Sequence, residues 1–139
     1  MAERELTKFV LVLTSNPRQV TKVEHFLEKV GRHLHLDDVR YNRLLVAATE
    51  AVNNSIIHGN QRDARKKVVV TCEVNHAALI VRVHDEGRGV DTTKLPNPLA
   101  EENLLRENGR GVFLMQSMMD TVEFDKTPDG AEVIMKMGL

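Results

Sequence analysis

The hydrophobic and polar positions along the chain predict five strands and three helices. Short apolar runs and strict alternation, both typical of strands, occur at residues 8–14, 68–74, 79–84, 122–125 and 131–137. Apolar residues at helical spacing predict a helix after Asn16-Pro17, a second from Asp37 to Gly59, and a buried third over residues 109–119. Asn16 and Asp37 are suited to cap free amides, and Gly59 to the left-handed position that closes a helix.

The order of these elements predicts the fold class. Two hairpins, which turn at residues 75–77 and 128–130, imply mostly antiparallel pairing. Three helices covering one face of such a sheet give an α/β two-layer sandwich. The opposite face is predicted to be solvated, because polar residues alternate along the strands at Thr71, Glu73, Arg82, His84, Glu132 and Lys136. The long connection over residues 86–108 is typical of a functional lid or a disordered segment.

Length and composition limit the class of protein. With 139 residues, 42% hydrophobic and 28% charged, the chain fits one globular domain over residues 1–139. No apolar run approaches the ~20 residues that span a bilayer, and the charged start is unlike a secretory signal. A formal net charge of −1 argues against nucleic-acid binding. Cys72 cannot form an internal disulfide, so we expect a buried thiol in a cytoplasmic protein.

Glu50 and Asn54 form the first candidate site. They are four residues apart on the second helix and therefore share a face, beside the apolar stripe. Such a pair is usually solvated on a helix flank. In a functional interpretation, the Asn54 amide oxygen binds Mg²⁺, an ion that takes few protein ligands when phosphates supply the rest. Glu50 then acts as a base near a γ-phosphate.

Asp85 is the second candidate. It has the strand parity of the apolar positions before it and should point toward the helix layer. It is either a buried carboxylate held by backbone amides or the acceptor for a ligand amine such as that of adenine. Gly87 and Gly89 follow, and glycines allow a backbone to pass close to a flat base.

Gly109-Arg110-Gly111 is the third candidate, at the start of a buried helix. The free amides and positive dipole end of a helix N-terminus suit phosphate, and Arg106 and Arg110 could add charged contacts. Glycines also open helices for steric reasons alone. No Gly-Lys-Ser/Thr sequence occurs, so this is not a Walker-type loop.

In this order, the three motifs resemble those of the histidine-kinase-like (GHKL, Bergerat-fold) ATPases. Residues 50–59 are similar to the N box, residues 85–89 to the G1 box and residues 109–115 to the G2 box. The Glu-Ala-x-x-Asn pattern, and the residues flanking the third motif at 103–105 and 118–120, are similar to those of the anti-sigma-factor serine/threonine kinases of the RsbW and SpoIIAB kind.

The resemblance implies specific roles for these residues. Glu50 would be the catalytic base, Asn54 would hold Mg²⁺, and Asp85 would bind adenine with Gly87 and Gly89 against it. The segment from residue 88 to 109 would be a lid. Nucleotide contacts would come from the third motif, at Gly109, Arg110, Gly111 and Val112.

The resemblance also implies an activity and partners. The protein would be an ATP- and Mg²⁺-dependent serine/threonine kinase that phosphorylates an anti-sigma factor antagonist. A sigma factor would be a second partner, and many relatives are homodimers. No membrane or direct nucleic-acid contact is expected.

Two other functions stay open. The first is a regulatory module that binds ATP or a partner without phosphotransfer. It is motivated first by Ala131, because many members of the superfamily have Thr at this position, after the glycine of the last hairpin. It is motivated also by Thr92-Thr93-Lys94, because some members have Thr-Thr-Lys-Pro just before the third motif, whereas here the sequence lies far before it. The second is a fragment-like sensor histidine kinase, disfavoured because its phospho-accepting helical domain would not fit. The histidines of the first helical region are predicted to be surface or packing residues, at His25, His33 and His35.

Overall fold

A computed structural model describes residues 7–88 and 107–139. Within these residues the chain forms five strands and three α-helices. In chain order the elements are β1 (Lys8–Thr14), α1 (Val20–His33), α2 (Asp38–Asn54), β2 (Lys67–Asn75), β3 (Ala78–Asp85), α3 (Glu107–Met118), β4 (Thr121–Thr127) and β5 (Gly130–Gly138). A 3₁₀ turn, Pro17–Gln19, precedes α1, and a π turn, Ser55–Gly59, extends α2. The predicted elements are therefore confirmed to within two residues, apart from the end of the second helix.

The strands form one antiparallel sheet in the order β1-β2-β3-β5-β4. Both hairpins occur as predicted, and the β2–β3 turn includes His76 in a left-handed conformation at φ 56°. Pairing of β3 with β5 places Asp85 opposite Ala131. The sheet with its three helices is the predicted α/β two-layer arrangement.

The core lies between the helices and one face of the sheet. Both layers contribute side chains with almost no exposed surface, among them Leu27, Leu44, Val52, Met115, Val70, Val81 and Met135. Complete burial of such a side chain stabilises the fold by about 1.5–3 kcal/mol. On the other face the polar positions predicted to be solvated are half-buried, except for the exposed Lys136, and at the β1 edge Val10 and Val12 are 52% and 51% exposed.

Both predicted helix caps are present. The Asn16 side chain accepts a hydrogen bond from the Arg18 amide at 3.0 Å, at the start of the 3₁₀ turn that leads into α1. Asp37 accepts one from the Arg40 amide at 2.7 Å. Each cap satisfies an amide that has no partner within its helix.

The end of α2 differs from the prediction. Gly59 does not adopt a left-handed conformation; within the described residues, Gln61 and Arg62 do so after it, at φ 52° and 58°. A Cβ atom on Gly59 would meet the carboxyl group of Asp85 at less than 3.0 Å. Glycine is therefore required for close approach to β3 rather than for its backbone angles.

Within the described residues the third helix runs over Glu107–Met118, so it is already formed two residues before the predicted start. Val112, Met115 and Met119 are buried, as expected, whereas Phe113 and Leu114 are only half-buried. The helix is therefore buried on one side and not all round.

The C-terminal end of α3 is held against α2 by hydrogen bonds and an ion pair. Arg43 of α2 donates a hydrogen bond to the Met118 carbonyl oxygen at 2.7 Å, and its guanidinium lies 3.3 Å from the Asp120 carboxylate. Asp120 in turn accepts a hydrogen bond from the Gly138 amide at 2.7 Å. These contacts fix α2 and α3 against the end of β5.

Across residues 7–88 and 107–139, none of the helices combines the length and the apolar character needed to cross a bilayer.

Candidate functional site

Glu50 and Asn54 lie directly against the backbone of α3. A Cβ atom on Gly111 would be 3.1 Å from Oε2 of Glu50 and 3.0 Å from Nδ2 of Asn54. These distances are shorter than ordinary carbon contacts, so a residue other than glycine would push both side chains aside. The structure thus brings the first and third motifs together, with half-buried polar groups of α2 facing the first turns of α3.

Asp85 ends β3 and points into the sandwich, as predicted, with 8% of its surface exposed. Its Oδ1 atom accepts a hydrogen bond from the Gly87 amide at 2.8 Å. The carboxyl group lies against the Cα of Gly59, at the end of the π turn. One of the two predicted roles is therefore present, since a backbone amide holds the carboxylate, and the other oxygen, Oδ2, lies on the Gly59 side.

Three glycines allow the backbone to close around Asp85. A Cβ atom on Gly87 would collide with the carbonyl of Gly59, and one on Gly130 would collide with the carbonyl of Asp85. At Gly87 and Gly130 the blocking atoms belong to the backbone, so they cannot move aside as a flexible side chain can, whereas at Gly59 the blocking atoms are those of the Asp85 carboxyl group. The end of α2, the segment after β3 and the start of β5 are thereby held at close contact distance.

The remaining predicted residues fall in different places. Val112 is buried at 8% exposure, whereas Arg110 is exposed on the first turns of α3. Gly109 lies within α3, and nothing further is described at that position. Gly89 and Arg106 lie outside the described residues, as does most of the predicted lid.

Sequence reasoning missed Asn60, which is completely buried next to Gly59. Its Nδ2 group donates to Ser15 Oγ at 2.8 Å and to the Lys67 carbonyl at 3.0 Å, and its Oδ1 accepts from the Glu86 amide at 2.8 Å. A polar residue just after a helix is common in loops, so the sequence held no clear signal of burial.

The donor set fits Mg²⁺ only with help from a ligand. Within the described ranges, no cluster of three or more His, Cys, Asp or Glu side chains could hold a metal ion. Glu50 and Asn54 offer hard oxygen donors beside the α3 backbone, where a Cβ atom on Gly111 would displace both side chains. Mg²⁺ prefers oxygen, keeps several waters and is often completed by substrate phosphates, which matches this arrangement.

The single thiol belongs to the core, as predicted. Cys72 is fully buried in β2, and burial raises the pKa of its thiol to about 12. A thiol of that pKa is protonated at neutral pH and therefore a poor nucleophile.

The histidines of the first helical region are exposed, as predicted. His25 and His33 lie on α1, and His35 follows that helix in a left-handed conformation. The ring of His33 meets that of Phe9 edge-on, with centroids 5.3 Å apart.

The fold and the three assembled motifs define the class of protein. Residues 13–137 match the family model of the histidine kinase-like ATPase domain, and the chain belongs to this family.

The chain is also similar to individual curated proteins. The anti-sigma F factor of Oceanobacillus iheyensis is 33% identical over 90 residues, which cover 63% of this chain and 62% of the relative. The anti-sigma F factor of Bacillus subtilis is 31% identical over 83 residues, covering 58% and 57%. The chain thus spans less than two thirds of the length of either protein.

Solved structures share the fold. The RsbU and RsbW domains of Rv1364c from Mycobacterium tuberculosis match with a TM-score of 0.71 at 14% identity, covering 96% of this chain and 32% of that one. The catalytic domain of the histidine kinase ThkA matches with a TM-score of 0.54 at 16% identity, covering 96% of both chains.

Proposed function

We propose that this protein binds ATP with Mg²⁺ where the last turns of α2 meet the end of β3 and the first turns of α3. One observation carries the proposal: the Gly111 backbone lies so close to Glu50 and Asn54 that a Cβ atom there would displace both side chains. Two polar groups on a helix flank are common, but here a glycine of the third motif lets the α3 backbone approach both of them.

The two ends of the site take different parts of the nucleotide. Asp85 suits adenine, because the exocyclic amine of the base can donate to a carboxylate oxygen. Oδ1 of Asp85 already accepts the Gly87 amide, so we assign Oδ2 to the base. At the other end, the Asn54 amide oxygen would hold Mg²⁺, and the bound ion would neutralise charge on the phosphates. Gly109, Arg110, Gly111 and Val112 would line the phosphate side.

We further propose that the protein is a serine/threonine protein kinase with Glu50 as its general base. In the transfer, the acceptor hydroxyl oxygen bonds to the γ-phosphorus while the bond to the bridging oxygen of ADP breaks. The hydroxyl proton passes to the Glu50 carboxylate. The products are ADP and a phosphorylated Ser or Thr side chain.

The acceptor in this proposal is an anti-sigma factor antagonist, and the protein acts as an anti-sigma regulator. Support comes from similarity to proteins named anti-sigma F factor and from a fold shared with an RsbW domain. The proposal includes a sigma factor as the second partner. It also includes a homodimer in the cytoplasm as the working unit, with residues 1–139 of each copy acting as one domain.

Radiolabelled ATP with Mg²⁺ and a candidate antagonist tests the kinase proposal. We expect a labelled antagonist with the wild type and a loss of labelling of about a hundredfold or more with Glu50→Gln. Glu24→Gln is the matched control, because Glu24 is exposed on α1. Undiminished labelling by Glu50→Gln at equal ATP occupancy would show that Glu50 is not the general base.

A binding module without phosphotransfer is the second candidate. It is favoured by Ala131, which pairs with Asp85 in the sheet and carries no hydroxyl beside the proposed adenine site. Tight binding of ATP or a sigma factor, with no transfer to any antagonist, would decide for this module.

A further inference from the structure

Asn60 joins segments of the chain that are distant in sequence. Ser15 follows β1, Lys67 begins β2, and Glu86 follows β3. The Asn60 side chain bonds to all three, while its backbone amide donates to the Ser55 carbonyl at 2.8 Å. The residue thus connects the end of α2 with three strand ends.

The surrounding groups complete a closed network. The Ser15 hydroxyl, itself buried, donates to the Lys66 carbonyl at 2.7 Å. The Lys67 amide donates to the Glu86 carboxylate. In the described part of the chain, no buried side-chain nitrogen or oxygen lacks a hydrogen-bond partner. The Asn60 and Ser15 side chains in this network are buried, and full satisfaction of buried polar groups fixes their geometry, whereas partial satisfaction destabilises the fold.

Asparagine matches this position better than its near neighbours in size. It supplies two donor hydrogens, taken by Ser15 and Lys67, and one acceptor oxygen, taken by the Glu86 amide. Aspartate would lose both donors and bring a charge into a buried site. Serine has one donor and a shorter side chain.

The network lies next to the groups assigned to adenine. Gly59 immediately precedes Asn60, and the Cα atom of Gly59 lies against the Asp85 carboxyl group. Glu86, held through its amide, lies between Asp85 and Gly87 in the sequence. The bond from Glu86 to Asn60 therefore fixes the segment carrying Asp85 against the end of α2.

We propose that Asn60 is a positioning residue that sets the Asp85 carboxylate for recognition of adenine. The proposal rests on the proposed nucleotide site. Without the bond to Asn60, the Glu86 amide must find water or move, and the carboxylate loses its fixed distance from Gly59. Recognition of the base should then weaken more than recognition of the phosphates.

The test compares ATP with GTP by isothermal titration in the presence of Mg²⁺. Guanine carries a carbonyl oxygen where adenine carries its exocyclic amine, so a fixed carboxylate should reject it. We expect Asn60→Ala to lose about tenfold in ATP affinity, which is about 1.4 kcal/mol, and less in GTP affinity. The ratio of ATP to GTP affinity should therefore fall. A general loss of folded protein would lower both affinities equally.

Two further variants sharpen this comparison. Asn60→Ser keeps a polar group, but its side chain is too short to reach Glu86. This variant replaces Asn60→Ala in the comparison if Asn60→Ala does not fold. Ser15→Ala removes one partner but leaves the bonds from Asn60 to Lys67 and Glu86 in place. It should lower the melting temperature and keep the wild-type nucleotide ratio. All titrations are run at temperatures at which circular dichroism shows that the variant is folded.

Amide hydrogen exchange without nucleotide gives an independent measurement. The Glu86 amide should lose protection in Asn60→Ala or Asn60→Ser and keep it in Ser15→Ala. A wild type that binds neither nucleotide would overturn the proposed site, and this proposal with it. An unchanged ATP-to-GTP ratio in the Asn60 variants, or an unchanged Glu86 amide, would overturn this proposal alone.

Discussion

The substitution Gly111→Ala separates the stability of α3 from the function of the site. Gly111 is the fifth residue of that helix, and alanine in a helix interior is favoured over glycine by about 1 kcal/mol. The added Cβ would lie 3.0 Å from Asn54 Nδ2 and 3.1 Å from Glu50 Oε2, so these atoms must move by a few tenths of an ångström. Stability should therefore be kept or increased while function falls.

The expected magnitudes follow from this geometry. The melting temperature should stay level or rise by up to about 4 °C, since the helical gain is partly offset by the displacement of two side chains. Phosphoryl transfer should fall by roughly tenfold, because misplacement by about 1 Å can cost about a hundredfold. Differential scanning calorimetry measures the first quantity, and single-turnover labelling of the antagonist measures the second.

Ser117→Ala is the matched control for this prediction. Ser117 is an exposed residue of the same helix, and its hydroxyl donates to the Phe113 carbonyl at 2.8 Å. Its replacement should stabilise the helix slightly and leave transfer unchanged. If Gly111→Ala retained full ATP binding and transfer, contact between α3 and the Glu50–Asn54 pair could not be what shapes the site.

Three further predictions concern other parts of the molecule. Because burial raises the pKa of Cys72 to about 12, a thiol reagent at pH 8 should label the protein only in denaturant; rapid native labelling would contradict the described core. The hydrogen bond from the Arg65 side chain lowers the pKa of Asp63 to about 2. Its stabilising contribution should be complete above pH 3.8 and disappear as the pH falls toward 2, and acid unfolding of Asp63→Asn should lack this component. Ala131→Thr should tighten ATP binding through a hydroxyl beside Asp85, whereas Ala131→Val, of similar shape, should not; equal effects in titration would exclude the hydroxyl.

Much of the fold could be predicted because local patterns determine it. The strand bounds follow from alternation, and the Asn16 and Asp37 caps form as their residue types predict. The end of α2 could not be predicted in the same way. Gly59 has the sequence signature of a left-handed cap, but the nearby Asp85 carboxylate, contributed by a strand later in the chain, is what requires a glycine.

The candidate site was predictable in composition and not in detail. The types of residue at Glu50, Asn54 and Asp85 are the basis of the proposed roles, and their order indicated the family. Asn60 gave no signal, because its partner Ser15 is 45 residues away in sequence and is brought close only by the folded sheet. Burial of a polar side chain depends on such long-range contacts, which a single sequence does not display.

The proposed nucleotide site is tested most simply by calorimetric titration of ATP, with and without Mg²⁺, into the wild type and Asp85→Asn. Asparagine can still accept the Gly87 amide, so the variant should fold while it presents an amide group to the base. We expect the wild type to bind ATP, Mg²⁺ to strengthen this binding, and Asp85→Asn to lose it. A wild type that fails to bind ATP would exclude the proposed nucleotide site, and a variant that binds ATP equally well would exclude the role of Asp85.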